Sequence, residues 1–309
     1  MSALAQRAED YLRLRNALGH ELAEAVRLLP RFVAYLDSIG ATTVTLDAAL
    51  AWAQLPDAAP GSNLRAKRMT VARGFARHMA GVDPRTQVPP LGLIGYRKQW
   101  RSPFIYQRAD VEMLMTHAVH AIRDPLRAAS YHTLIGLLAA TGMRVGEALR
   151  LHRDDIDWEE GVITVLASKF GKSRELPLTA STLHALARYA EHRDHAQPRP
   201  STSTFFVSTA GTAIRYPHFG AQFRRLVDAT GVGATSPARP RIHDLRHSFA
   251  VHTLIAWYQA GHDVNAMLPR LSIYLGHRDP VSTYWYLSAA PDLLALAAAR
   301  LQAIQEARS

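Results

Sequence analysis

Apolar positions recur at helical spacing through the first eighty residues. Between Ala3 and Gly19 they fall at Leu4, Ala8, Tyr11, Leu12 and Leu18; between Leu22 and Ile39 they fall at Ala25, Leu28, Leu29, Phe32, Val33 and Leu36. Such spacing lays a stripe on one side of an α-helix. Gly40 stands where a C-cap glycine ends the second helix. Thr45 is a suitable N-cap for a short helix over residues 46–54. After a proline-containing loop at 56–62, Asn63 introduces a helix reaching His78. Its apolar residues (Leu64, Met69, Val71, Ala72, Phe75, Ala76) predict a buried side, and Arg65, Lys67, Arg68, Arg73 and Arg77 predict a basic one. The pattern fails between Pro84 and Pro103, where Pro89-Pro90, Gly92 and Gly95 break any regular element.

Periodicity resumes beyond Phe104. Helices are expected at 109–121 and at 125–140, the second apolar nearly all round (Leu126, Ala129, Tyr131, Leu134, Ile135, Leu137, Leu138) and therefore suited to a core. The stretch TGMRVGEALRL, from Thr141 to Leu151, reads as a break followed by a short helix. Strand character follows at Val162–Val165 and Glu175–Leu178, with turns at Glu159-Glu160-Gly161 and around Phe170-Gly171-Lys172-Ser173. From Thr182 onward the chain reads as helical, apart from loops at 197–203 and 231–239. The predicted fold is mainly α with a small β-hairpin. It is divided into a helical domain at 1–95, a basic linker at 96–104 and a larger domain at 105–309 that ends in an apolar helical tail (Leu293, Leu294, Leu296, Ala297, Leu301, Ile304).

Charge changes this picture. The net charge is +10 and the pI about 10.1, which favours a polyanionic partner. The excess is segregated: residues 1–60 carry five arginines against seven acids, whereas residues 61–101 carry nine Lys or Arg against Asp83 alone. Arg97, Lys98 and Arg101 extend the basic stripe into the linker, so nucleic acid is the expected partner and a merely solvated basic surface the alternative. Cysteine is absent, which removes disulfides, thiolate catalysis and cysteine-based zinc sites. The sequence carries neither an apolar run long enough to span a membrane nor a signal-peptide pattern, so a cytoplasmic location is expected.

The chemistry-bearing residues lie in the larger domain. His243 and Arg246, in RIHDLRHSFAVH, are three apart and share a helix face, with Asp244 suited to the positive helix end. His277 follows a Leu-Gly pair, and Tyr284 and Tyr286 trail it. Arg144 sits just past the Gly142 break, and Lys169 at the tip of the proposed hairpin. His243 and His247 have the spacing of two zinc ligands on one helix, but Asp244 stands where the metalloprotease pattern needs Glu, and Arg246 is a poor neighbour for Zn²⁺. No metal and no cofactor is expected. Two imidazoles, guanidinium groups and a phenol suit an anionic, oxygen-rich substrate such as a phosphodiester.

Taken together, TGMRVGEALRL, SKFGKSRELPL, HDLRHSFAVH and LGHRDPVSTYWYL, in this order, resemble the tyrosine recombinases of the phage-integrase family. The likeness spans roughly residues 110–287. The N-terminal part resembles the family's core-binding domain only in length, helicity and charge. The segments around HDLRHSFAVHTL and LGH…STYWYL further resemble recombinases borne by transposons and other mobile elements. The resemblance implies a site-specific integrase that cuts and rejoins double-stranded DNA through a covalent 3′-phosphotyrosine. It would work as a tetramer on two DNA sites, with the C-terminal helix docked on a neighbour or on its own domain. Arg144 and Arg246 would grip the scissile phosphate, Lys169 would protonate the departing 5′ oxygen, His243 would assist proton transfer and His277 would hydrogen-bond the phosphate. Glu147 would orient its neighbours. Tyr286, nine residues past His277, would be the nucleophile; Tyr284, which points elsewhere on a helix, is its rival. Ser168 stands where many members have glycine, so Lys172 is the alternative to Lys169. A type IB topoisomerase-like enzyme and a non-catalytic DNA-binding protein are the competing functions.

Overall fold

Apolar stripes and cap residues become helices close to where the sequence places them. The structure, a computed structural model, describes residues 2–20, 22–59, 62–96, 102–168, 172–277 and 283. The chain divides into two compact units, Met1–Trp100 and Arg101–Ser309.

The first unit contains α1 (Ala3–Ala17), α2 (Ala23–Ser38), α3 (Leu46–Ala53) and α4 (Leu64–Ala80). Thr45 caps α3 as expected, its hydroxyl accepting from the Ala48 amide at 3.2 Å, and Gly40 takes the left-handed φ of +67° beyond α2. Leu28, Leu29, Phe32 and Leu36 of α2 pack with Trp52 of α3 and with Ala72, Phe75 and Ala76 of α4, all essentially inaccessible to solvent. The basic side of α4 is narrower than the pattern predicts. Arg68 is buried: it lies over the Trp52 ring at 5.5 Å, pairs with Asp57 and donates to the Leu55 carbonyl. Arg73 is buried too, donating to the carbonyls of Pro89 (2.8 Å) and Pro90 (2.9 Å). Both were expected to face DNA. Their long stems cross the apolar side of α4 and their heads satisfy carbonyls of proline-containing segments. Arg65 and Arg77 remain exposed, and Lys67, half-buried, pairs with Glu24.

The second unit is built around α6 (Pro125–Thr141), flanked by α5 (Arg108–Ala121). Leu126, Tyr131, Leu134, Ile135, Leu137 and Leu138 of α6 are buried, and its buried Ser130 hydroxyl meets the Leu126 carbonyl and the Tyr189 hydroxyl. After α7 (Val145–Arg150) comes a three-stranded antiparallel sheet in the order β1 (Ile156–Asp157), β2 (Val162–Ser168), β3 (Lys172–Pro177). The sequence reading missed β1, too short to leave a pattern. Ile163 pairs with Leu176, and Val165 with Arg174. Then come α8 (Ala180–Ala196), α9 (Tyr216–Thr230), α10 (Ile242–Gln259) and α11 (Val264–Leu275). The loop before α9 is longer than expected, running from 197 to 215 rather than ending at 203. Isolated bridges join His152 to Thr204 and Val207 to Ala213, and Phe205, Phe206 and Val207 are fully buried. Two adjacent phenylalanines packed on Tyr189, with centroids 5.4 and 4.9 Å away, plug the core from an irregular segment. Among the described residues no helix is long and apolar enough to cross a membrane.

Candidate phosphate-binding active site

Three chain segments of the second unit meet at one place: the turn into α7, the start of α10 and the end of α11. The turn depends on Gly142, which caps α6 at φ +60°. A Cβ there would come within 2.5 Å of the Phe249 ring, so both conformation and space require glycine. The turn lets Arg144 leave the buried path of α6. Its guanidinium donates through Nη1 to Glu147 Oε1 (2.9 Å) and through Nη2 to the Gly276 carbonyl (2.7 Å). Glu147 also accepts from the Arg144 amide at 2.8 Å, which caps α7.

On α10, Asp244 is wholly buried and accepts from the Arg241 amide at 3.0 Å and from its guanidinium at 2.7 Å. This pins the first turn. Arg246, also buried, donates from Nη1 to the Gly142 carbonyl (2.9 Å) and from Nη2 to the Leu275 carbonyl. His243 is exposed at the helix start, its ring 4.7 Å from that of His247 and nearly perpendicular to it. α11 ends at Gly276, φ +66°, and His277 follows. Its Nδ1 lies 2.8 Å from the hydroxyl of buried Thr283, which orients the ring.

The electrostatics are those of a site crowded with cations. Burial would raise the Glu147 carboxyl, but Arg174, the Arg144 amide and the Arg144 side chain hold it at about 2. The imidazoles move the other way. Desolvation, then Arg246 and Arg144, lower His277 to about 4; desolvation, then His243 and Arg241, lower His247 to about 3. Desolvation, then Arg246, lower His243 below the ordinary histidine value, with Asp244 opposing. A phosphate among these groups would supply the opposite charge that favours their protonation.

The structure therefore brings together Arg144, Glu147, His243, Arg246 and His277. Lys169 and Tyr286, with Tyr284, lie outside the described residues, as do Arg97, Lys98 and Arg101; β3 begins at Lys172, whose side chain is not among those described. Sequence reasoning missed Arg174. It grips Glu147 with both terminal nitrogens, at 3.1 and 2.7 Å, and its side chain is only 7% exposed. The signal was available: alternation puts residue 174 on the same strand face as buried Leu176, so a charge there needs a partner. Thr283 left no comparable trace. Among the described residues no cluster of three His, Cys, Asp or Glu is arranged to hold a metal ion.

Comparisons with known proteins bear on the family and the fold. The model of the phage integrase family matches residues 107–292. A putative integrase/recombinase of Sinorhizobium fredii, y4rB, is 38% identical over the full length of both chains. Tyrosine recombinase XerD of Pseudomonas aeruginosa is 30% identical, with 93% of each chain covered. Among solved structures, the XerH site-specific recombinase bound to its palindromic difH substrate superposes with a TM-score of 0.67 at 19% identity, covering 98% of this chain and 86% of that one. This last likeness speaks to the fold.

Proposed function

The chain belongs to the phage integrase family of tyrosine recombinases, and on that premise we propose how its residues divide the breaking and rejoining of double-stranded DNA. Convergence of the Arg144 and Arg246 guanidinium groups, both anchored at the end of α11 beside His277, carries the reading. Planar forks fixed in advance suit the non-bridging oxygens of a phosphodiester, and their benefit grows as charge builds in the transition state. His277 donates a hydrogen bond to the same phosphate. The Tyr286 phenol oxygen attacks phosphorus, its proton passing toward His243, while the bond from phosphorus to the 5′ oxygen breaks and Lys169 protonates that leaving oxygen. Lys172 is the alternative donor. The product is a 3′-phosphotyrosine, and attack by a 5′ hydroxyl from a partner duplex reverses the step without loss of the ester bond.

Four copies holding two DNA sites complete the exchange, with Arg65, Lys67 and Arg77 of α4 and Arg97, Lys98 and Arg101 beyond it neutralising backbone phosphates. The resemblance to element-borne recombinases makes transposition the process served, in a cytoplasmic location. Incubation with two labelled duplexes drawn from the flanks of the coding region, in EDTA, tests this. Joined recombinant products are expected. Relaxation of a supercoiled circle without any joining would point to a topoisomerase-like enzyme, and binding without cleavage to a non-catalytic protein.

A further inference from the structure

The last turn of α11 leaves carbonyls without helical partners, and three in succession each receive a different arginine. Tyr274 accepts from Arg174 Nε at 2.8 Å, Leu275 from Arg246 Nη2, and Gly276 from Arg144 Nη2 at 2.7 Å. The negative end of the helix thus collects three cations on consecutive residues, immediately before His277. Two of these arginines were assigned above to the phosphate. The third comes from a strand: Arg174 occupies an inward position of β3, opposite Val165, and its guanidinium packs against Gly276, where a Cβ would stand 3.0 Å from Nη1.

Arg174 also completes the coordination of Glu147. That carboxylate receives four donors. Two come from Arg144, the amide at Oε2 and Nη1 at Oε1; two come from Arg174, Nη1 at Oε1 (3.1 Å) and Nη2 at Oε2 (2.7 Å). A carboxylate offers about four lone-pair sites, so Glu147 is saturated. Remove the Arg174 fork and two sites fall vacant beside Arg144, the nearest remaining cation, which a buried carboxylate would draw further onto itself.

We propose that Arg174 is a positioning residue for strand cleavage: it saturates Glu147 and braces the end of α11 on which Arg144 is anchored, and so keeps Arg144 aimed at the phosphate. It touches neither DNA nor the reacting atoms. The inference rests on the recombinase reading and adds to it a dependence that runs from the sheet through Glu147 to Arg144.

Arg174→Lys tests it, since lysine keeps the charge and the stem but cannot supply the fork. Duplex binding, thermal melting and the rate of covalent protein–DNA adduct formation are measured for wild type, Arg174→Lys, Arg144→Lys and the double variant. Arg174→Lys is expected to bind DNA like wild type and to stay folded at the assay temperature with only a modest drop in melting, yet to form the adduct at least about tenfold more slowly. The double variant is expected to be no more than about threefold slower than Arg144→Lys alone, because the lost residue acts through the one already altered. Arg174→Lys forming adduct at the wild-type rate overturns the proposal. So does a double variant whose defect is the product of the single defects, and so does a slow Arg174→Lys whose melting temperature has fallen in step with its rate. Absence of adduct in wild type itself is a different failure: it removes the recombinase reading, and this inference with it.

Discussion

Three histidines crowd the site, and each binds its proton less readily when the protein is folded. His277 titrates near 4 and His247 near 3 against an unfolded value of 6.5. Between about pH 6.5 and 4 the unfolded chain therefore holds more protons than the native one, and stability rises with pH across that window. The contribution is complete above 6.5 and drains as pH falls toward the folded values. Melting temperatures at pH 7.5, 5.5 and 4.5 are expected to decline, and His247→Gln is expected to flatten that decline. A variant with an undiminished slope would contradict the assignment. Glu147, depressed to about 2 from 4.5, acts in the same sense, its contribution draining as pH falls from about 4.5 toward 2, so that it overlaps only the acid end of that window. At this scale the sequence disclosed the chemical groups well. Arg144, Glu147, His243, Arg246 and His277 were all recognisable from local context and do converge. It did not disclose which arginines are structural: Arg68 and Arg73 looked like neighbours of Arg65 and Arg77, and burial separates them. Periodicity marks a side of a helix but not the carbonyls a long side chain reaches.

Among elements, the turn between α6 and α7 and the last helix of the first unit make contrasting predictions. Gly142→Ala must place a Cβ at positive φ and against Phe249; an expected loss of about 1–3 kcal/mol is checked by denaturant melts, with cleavage falling because Arg144 is displaced. Wild-type stability would sink that account of the turn. On α4, replacing Arg65 and Arg77 together by alanine should lower the slope of log affinity against log salt by about 2, close to one per phosphate contact, and leave melting unchanged. Arg73→Ala should do the reverse, leaving the Pro89 and Pro90 carbonyls without their donor and costing about 1–3 kcal/mol with little change in slope. An equal salt effect from both would mean that burial does not sort these arginines. Most element positions were legible because helix stripes and caps such as Thr45 act locally. The plug formed by Phe205 and Phe206 was not, since it packs on Tyr189 and adjoins a bridge from Thr204 to distant His152. β1 owes its existence to pairing with β2 alone.

For the whole molecule, two compact units and a strongly uneven charge give a division of labour. The first carries a basic helix and a closed helical core; the second carries the cluster of arginines and histidines proposed to hold a phosphate. Charge segregation was visible from composition alone, because it needs no knowledge of packing. The order of motifs was visible because each is a short local stretch that can be read without knowledge of packing. The central claim joins them: DNA held by the cationic cluster becomes covalently attached to the phenol of residue 286. Its most direct measurement is the covalent adduct itself, trapped on labelled DNA and mapped by peptide mass analysis, with Tyr286→Phe and Tyr284→Phe alongside wild type. Adduct on the peptide containing Tyr286 in wild type and Tyr284→Phe, and a loss of at least about a thousandfold in Tyr286→Phe, is the predicted result. Undiminished adduct in Tyr286→Phe would contradict it.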